Sequence, residues 1–221
     1  MSLISAEHSE LLWRYAEAML VTLGVSLLAA LMGMVMGLVL NVLRLCFPRQ
    51  LNLPYRLLVW LIRGTPYFSQ LMIVYFGLPV LGLTLSAAQA TVASLALYSA
   101  VYFAEIFRSG WNSIAPGHLE AARAFGISRW QSLRHIELPQ ALVFALPLLG
   151  NQTVLIIKES AVASVITLPE LTMTTGEIVS STYSYVGPYA LLILCYWLLA
   201  QTITLIVRGC ATFMTSPQRT L

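Results

Sequence analysis

The sequence predicts an all-α integral membrane protein, a single domain over residues 1–221 with five transmembrane helices. Three observations carry that expectation. Of the residues, 58% are hydrophobic and only 10% charged, far from the balance of a soluble globular domain. Four long runs carry no charge at all: 18–43, 64–104, 138–157 and 178–207. The basic residues between these runs collect on one side of the crossings they define. A helix needs about 20 residues to cross the hydrocarbon core, so three of the runs hold one span each. The run 64–104 is too long for one, and Gly77, Pro79 and Gly82 punctuate it as two spans with a tight turn. Uncharged stretches of that number and length argue against a soluble protein of buried helices. The first run also does not read as a cleaved signal peptide. Glu7, Glu10 and Glu17 precede it, and it exceeds a signal's apolar core of about 7–15 residues.

Five alternating crossings place 41–63, 105–137 and 208–221 on the same side. That side receives Arg44, Arg49, Arg56, Arg63, Arg108, Arg123, Arg129, Arg134, Arg208 and Arg219, leaving only Arg14 and Lys158 opposite. An excess of Lys and Arg marks the cytoplasmic side, so the amino terminus is expected outside and the carboxy terminus in the cytoplasm. The net charge of +3 therefore reflects topology and not affinity for nucleic acid. The spacing of Cys46, Cys195 and Cys210 matches no metal site, and apolar burial is the expected role of each.

Taken in order, Ser9 to Tyr15 reads as a short interfacial helix ahead of span one, 17–41. Gly33 and Gly37 form a G-x-x-x-G stretch in that span, suited to close approach of another helix. Span two, 55–77, contains Arg63-Gly64-Thr65-Pro66. Pro66 lacks an amide donor, which predicts a kink near the cytoplasmic interface. Arg63 would there be either an interface anchor or a hold on a neighbouring subunit's loop. Span three, 84–107, carries Tyr98, Tyr102, Glu105 and, just past its end, Arg108. Glu105 and Arg108 share a helical face, so they are expected to pair and fix the start of the next segment.

That segment, 112–136, is polar, and Trp111 and Ile114 at its start are candidate interface anchors. Pro116 suits a first helical turn and Gly126 a carboxy-terminal cap. Ser128, with Gln131 three residues on, opens a second short helix that Pro139 follows closely. The expectation is two short helices across the membrane axis, with Glu120, Arg123 and Arg129 available to water. Ala121 and Ala122 would offer a low, smooth surface to a partner's groove. An amphipathic helix lying on lipid headgroups is the competing reading, weakened because paired alanines bring little apolar area to the lipid. Span four, 138–157, is followed by Lys158-Glu159-Ser160, expected at the outer boundary, where charges are costly enough to point to function. Residues 161–171 read as a re-entrant or surface segment, tolerated only if packed on protein or on a water-filled cavity. Span five is 187–208.

At these residues the chain resembles the membrane-spanning permease subunits of binding-protein-dependent ABC importers, in their polar amino acid branch. The family's cytoplasmic signature is E-A-A, three residues, G, nine residues, I-x-L-P. It is present as Glu120-Ala121-Ala122, Gly126, Ile136 and Leu138-Pro139. Arg63-Gly64-Thr65-Pro66, Ala104-Glu105-Ile106-Phe107-Arg108, Lys158-Glu159-Ser160-Ala161 and Pro169-Glu170-Leu171 resemble further stretches of that branch. The likeness covers roughly residues 17–213.

The resemblance implies the type I ABC importer (MetI-like) permease fold in the bacterial cytoplasmic, or inner, membrane. It implies a dimer with a second permease, identical or paralogous, two ATPase subunits, and an extracytoplasmic substrate-binding protein. The segment 112–136 would be the coupling segment, with Glu120, Ala121, Ala122, Arg123, Gly126 and Arg129 at the ATPase contact. Arg63, Gly64, Pro66, Glu105, Arg108 and Pro139 would be structural. Lys158, Glu159, Ser160 and Tyr98 would line the substrate path. The chain departs from the family pattern where Tyr98 stands in place of a usual Asn and Glu159 in place of a usual Asp. The cargo would be a polar amino acid or a derivative, in the range of histidine, glutamine, arginine, cystine and the opines. The sequence has no Walker loop, so no cofactor is expected on this chain, and ATP and Mg would reside on the ATPase partners. No catalytic residues and no metal site are expected. An ion-coupled secondary transporter is the alternative; it would favour intramembrane acids or paired repeats, and every Glu reads as lying near a boundary.

Overall fold

The structure, a computed structural model, describes residues 2–215; Arg219, counted above among the cytoplasmic basic residues, lies outside the described residues. The first helix, α1, runs unbroken from Ser2 to Cys46, so the expected interfacial helix at Ser9–Tyr15 is not a separate element. No proline occurs before Pro48, and nothing else in the stretch stops helix propagation. The chain continues through α2 (Pro48–Gly64), α3 (Tyr67–Leu81, ending in a π and a 3₁₀ turn) and α4 (Ala87–Asn112). Then come α5 (Pro116–Ala124), α6 (Arg129–Ser132), α7 (Leu138–Glu159), α8 (Leu171–Thr182) and α9 (Val186–Thr215). Among the described residues, four continuous helical runs are long and apolar enough to cross a membrane, and α2 with α3, a bent pair, makes a fifth if it is counted as one span.

The packing centre is the seam between α1 and α4. A Cβ at position 37 would stand 2.6 Å from the Ala100 carbonyl oxygen and 2.8 Å from the Ala104 nitrogen. A Cβ at position 33 would stand 2.0 Å from Ser99 Oγ and 2.9 Å from the Ala96 carbonyl oxygen. Across the seam Ala96, Ala100 and Ala104 are fully buried, so small residues on both helices let the two backbones meet. Large exposed side chains such as Leu20, Leu31 and Val35 on α1, and Trp197 and Leu205 on α9, face outward as lipid-facing positions would.

The second span is not the single helix expected over 55–77. Its two halves, Pro48–Gly64 and Tyr67–Leu81, meet at 105°. Thr65 is extended, as the residue before a proline prefers, and Pro66 cannot donate into the preceding turn. The carbonyls freed by the break find a partner in Gln70. Its Nε2 donates to Ile62 O at 2.9 Å and to the Thr65 hydroxyl at 3.0 Å, while the Thr65 hydroxyl donates to Leu61 O at 2.8 Å. The elbow's freed carbonyls are thus partnered, while the Gln70 Oε1 is buried without a hydrogen-bond partner among the described residues.

At the opposite end, a 3₁₀ turn (Ser160–Ile166) and α8 fold back against the bundle, with Ala163, Ile166, Leu168 and Leu171 buried. Glu170 caps α8 by accepting from Met173 N at 2.8 Å, and Tyr196 of α9 donates to its second oxygen at 2.9 Å. Burial pushes the Glu170 carboxyl above the ordinary range, against the pull of these hydrogen bonds. Leu171 N donates to Thr22 Oγ1 at 3.1 Å and Tyr15 OH to Pro188 O at 3.0 Å, which ties this end to α1. Cys195 is buried as expected, but Cys210 is exposed. Ile114, expected as an interface anchor, is buried within the protein.

Two outcomes follow from this packing. Gly37→Ala forces a methyl group onto backbone atoms of α4 and costs about 1–3 kcal/mol, read as a lowered thermal midpoint in detergent. Gly24→Ala, with open space at its Cβ, leaves the midpoint unchanged. At the α8 cap, the folded state holds the Glu170 proton more tightly than the unfolded chain does. Stability therefore falls as pH rises from the ordinary carboxyl range through the raised one. Chemical denaturation across that window checks this, and Glu170→Gln removes the slope.

Candidate functional site

Two constellations stand apart from simple packing. The first is the polar segment between α4 and α7. Its helix α5 starts at Pro116 and ends in a motif set by Gly126, whose φ is +68°. Ile127 N donates to Ala122 O and Gly126 N to Arg123 O, both at 3.0 Å, which is the paired closure of a Schellman end. Ser128 and Gln131 then form a reciprocal capping box, with Ser128 N donating to Gln131 Oε1 at 3.1 Å.

The second short helix does not stop before Pro139. It passes through a π turn, Leu133–Glu137, directly into α7, giving one helical run from Arg129 to Ile166. Pro139 sits in the first turn of α7, where its missing donor costs little. Only α5 is a separate short helix. His118 on α5 contacts Gln140 on α7, Nδ1 to Oε1 at 2.8 Å, and so fixes the two together.

The side chains of this segment divide sharply. Glu120, Ala121 and Arg123 are exposed, whereas Ala122 is buried beside Ile127, so only one of the two alanines offers outer surface. Phe125 is 85% exposed and Trp130 68%; neither stood out in the sequence, although large aromatics beside a helix stop are the available signal. Arg129 is exposed to water as expected, and it also has a partner. It forms a salt bridge with Glu137, which is 2% exposed and also accepts from Ser132 Oγ at 3.0 Å. A buried carboxylate needs such partners, so Glu137, the unspecified residue of the I-x-L-P stretch, pins the π turn.

The second constellation lies between the helices. Tyr98 packs on Tyr102 with ring centroids 4.8 Å apart and on Tyr67 at 5.3 Å. Tyr67 shares a 3.2 Å hydrogen bond with Ser94. The Arg63 guanidinium sits over the Tyr102 ring at 5.5 Å, which brings Arg63 to this cluster. Glu159 is half-buried and lies close enough to Tyr67 and Tyr98 to act on both electrostatically. It is the last residue of α7, and the helical run continues past it to Ile166. Lys158 is exposed. Ser160 is fully buried with its hydroxyl bonded to Ile157 O at 2.8 Å, so it supports the turn and does not line a path.

Glu105 and Arg108 pair through two contacts, 2.6 and 3.1 Å, and Tyr55 of α2 donates to Glu105 at 2.5 Å. Since α2 meets α4 near Glu105 through Tyr55 and near Tyr102 through Arg63, it runs across α4, as the elbow requires.

A polytopic helical bundle with a charged aromatic cluster between its helices and a capped helix beyond them has the parts of a transport permease. The chain belongs to the family of binding-protein-dependent transport system inner membrane components, whose model matches residues 29–211. It is 39% identical over 176 residues to the probable amino-acid ABC transporter permease YckA of Bacillus subtilis, covering 80% of this chain and 78% of that one. It is 34% identical over 198 residues to the arginine transport system permease ArtQ of Bacillus subtilis, covering 86% and 87%. A crystal structure of an amino acid ABC transporter with histidines superposes with a TM-score of 0.85 at 32% identity, over 95% of this chain and 96% of that one. The MetNI methionine ABC transporter, inward facing, shares the fold, with a TM-score of 0.76 at 19% identity over 92% and 97%. The chain is thus a multi-pass ABC importer permease with the MetI-like fold, and not an enzyme; ATP hydrolysis belongs to separate ATPase subunits.

Gly126→Ala tests the α5 stop. An L side chain at this φ costs about 1–2 kcal/mol, and hydrogen exchange at Phe125–Ile127 should quicken while the α1–α4 seam stays protected.

Proposed function

We propose that this chain carries a polar amino acid or a derivative across the inner membrane by alternating access, driven through α5 by an ATPase partner. The exposed face of α5 supports this reading most directly. A helix capped at its end, closed on its inner side by Ala122 and showing Glu120, Ala121, Arg123 and Phe125 outward, has the shape of an insert for a protein cleft. Two ATPase subunits, holding ATP and Mg, would serve a dimer of this chain with itself or with a paralogous permease. The excess of Arg on the α5 side supports a cytoplasmic position for that side and an outer position for the amino terminus. A binding protein would deliver cargo to the other face.

Within the bundle, Arg63 and Glu159 flank Tyr98 and Tyr102 with opposite charges. A zwitterion suits that pair: the guanidinium takes an α-carboxylate and the carboxylate an α-ammonium. The named relatives for amino acids and arginine agree with this class of cargo.

Copurification and uptake in reconstituted vesicles, measured on two variants, test both halves. Glu120→Lys is expected to stay in the membrane but lose the ATPase subunit and uptake together. Glu159→Gln is expected to keep the subunit and lose at least about tenfold in uptake, the scale of one charge-assisted contact. Normal uptake by Glu120→Lys overturns the docking role, and normal uptake by Glu159→Gln overturns the path.

A further inference from the structure

At the end of the bundle that carries α5, three helix termini enclose a polar cavity of about 420 Å³. Asn41 and Arg44 come from α1, Pro48 and Asn52 from α2, and Arg108 and Asn112 from α4. None of these residues belongs to the α5 surface or to the tyrosine cluster.

The cavity is built for an anion. Asn41 is 2% exposed, yet its Nδ2 has no hydrogen-bond partner among the described residues. A buried amide donor left unmet is costly, so its position on the cavity wall points to an acceptor within. Arg44 supplies a positive charge. Its Nε donates to Asn52 Oδ1 at 2.8 Å and its guanidinium lies over Tyr55 at 4.7 Å, which holds the group in place with its terminal donors uncommitted. Among the described residues the carboxylate nearby is Glu105, which is bonded to Arg108 and Tyr55 and also feels the Arg44 charge. Arg44 and Arg108 together set two positive charges against that one carboxylate, so the wall keeps an excess of one positive charge. The helix α2 also begins at this cavity, with no side-chain cap at Phe47 and no acidic residue in its first turn. The positive end of a 17-residue helix adds to the same field.

We propose that this cavity binds a phosphate-bearing anion, the headgroup of an anionic phospholipid. Donors converge from three helices, as several tetrahedral oxygens require, and the volume exceeds what a lone carboxylate fills. Val42 and Leu43, next to Asn41 and Arg44, are exposed and apolar, which gives the acyl chains a surface beside the headgroup. Binding joins the ends of α1, α2 and α4.

Thermal unfolding of the purified, delipidated transporter in neutral detergent tests this. It is titrated separately with short-chain phosphatidylglycerol, short-chain phosphatidylcholine and inorganic phosphate. Phosphatidylglycerol should raise the midpoint saturably, and Arg44→Gln and Asn41→Leu should each weaken that response at least about tenfold. Phosphatidylcholine, whose ammonium group opposes Arg44, should act more weakly. A response to inorganic phosphate that the same variants abolish supports the site and assigns it to free anion. An equal response in wild type and both variants, or none to any of the three, overturns the proposal. Should Arg44→Gln fail to fold, Asn52→Leu and the charge-preserving Arg44→Lys give the same reading, with Arg44→Lys retaining most of the response.

Discussion

The seam of α1 and α4 is the constraint on which the rest of the molecule depends. In lipid, apolar side chains gain little by meeting each other, because the hydrocarbon around them is equally apolar. Association then rests on close packing, and Gly33 and Gly37 against Ala96, Ala100 and Ala104 supply it. Position 110 repeats the device, where a Cβ would stand 2.8 Å from the Ala141 carbonyl oxygen and so α4 meets α7 closely. With α4 held on both sides, Tyr98 and Tyr102 take fixed places, and Arg63 and Glu159 are brought to them by other elements.

Polar groups inside the bundle are few, and most are met by a specific partner. Gln70 closes the elbow at Pro66, Arg129 and Ser132 hold Glu137, and Tyr196 and Met173 hold Glu170. Each case marks a point where the backbone departs from a straight helix. A break in a membrane helix frees carbonyls or amides that lipid cannot satisfy, so a side chain must do so. The elbow, the π turn and the α8 cap are thus recognisable by a polar residue close by in sequence.

Much of this was legible in the chain. Charge-free runs marked the crossings, G-x-x-x-G marked the seam, and Gly126 and the Ser128–Gln131 box marked the ends of short helices. These are local signals, set by backbone geometry within four residues. What escaped was non-local or non-α. Glu137 meets Arg129 eight residues back across a π turn, a separation of about 12 Å along a straight α-helix and so outside the usual pairing of residues three or four apart. Glu159 reads as the end of an apolar run, whereas the helical path continues past it as a 3₁₀ turn to Ile166. Ala121 and Ala122 are identical in kind, and only tertiary packing decides which is covered. The 105° at the elbow likewise follows from how α2 docks on Glu105 and Tyr102, and a proline alone does not set it.

The uninterrupted run from Arg129 to Ile166 has a mechanical consequence. Its near end carries the Glu137 clasp beside α5, and Glu159 rides on it next to the tyrosines. A helix is stiff along its axis, so a tug at the near end arrives at Glu159 almost undiminished. The exceptions are the π turn, where wider hydrogen-bonded rings loosen the helix, and Pro147, which donates no backbone hydrogen bond within α7. The linkage is a rod with two joints, and the clasp of Arg129 and Ser132 on Glu137 holds the nearer one.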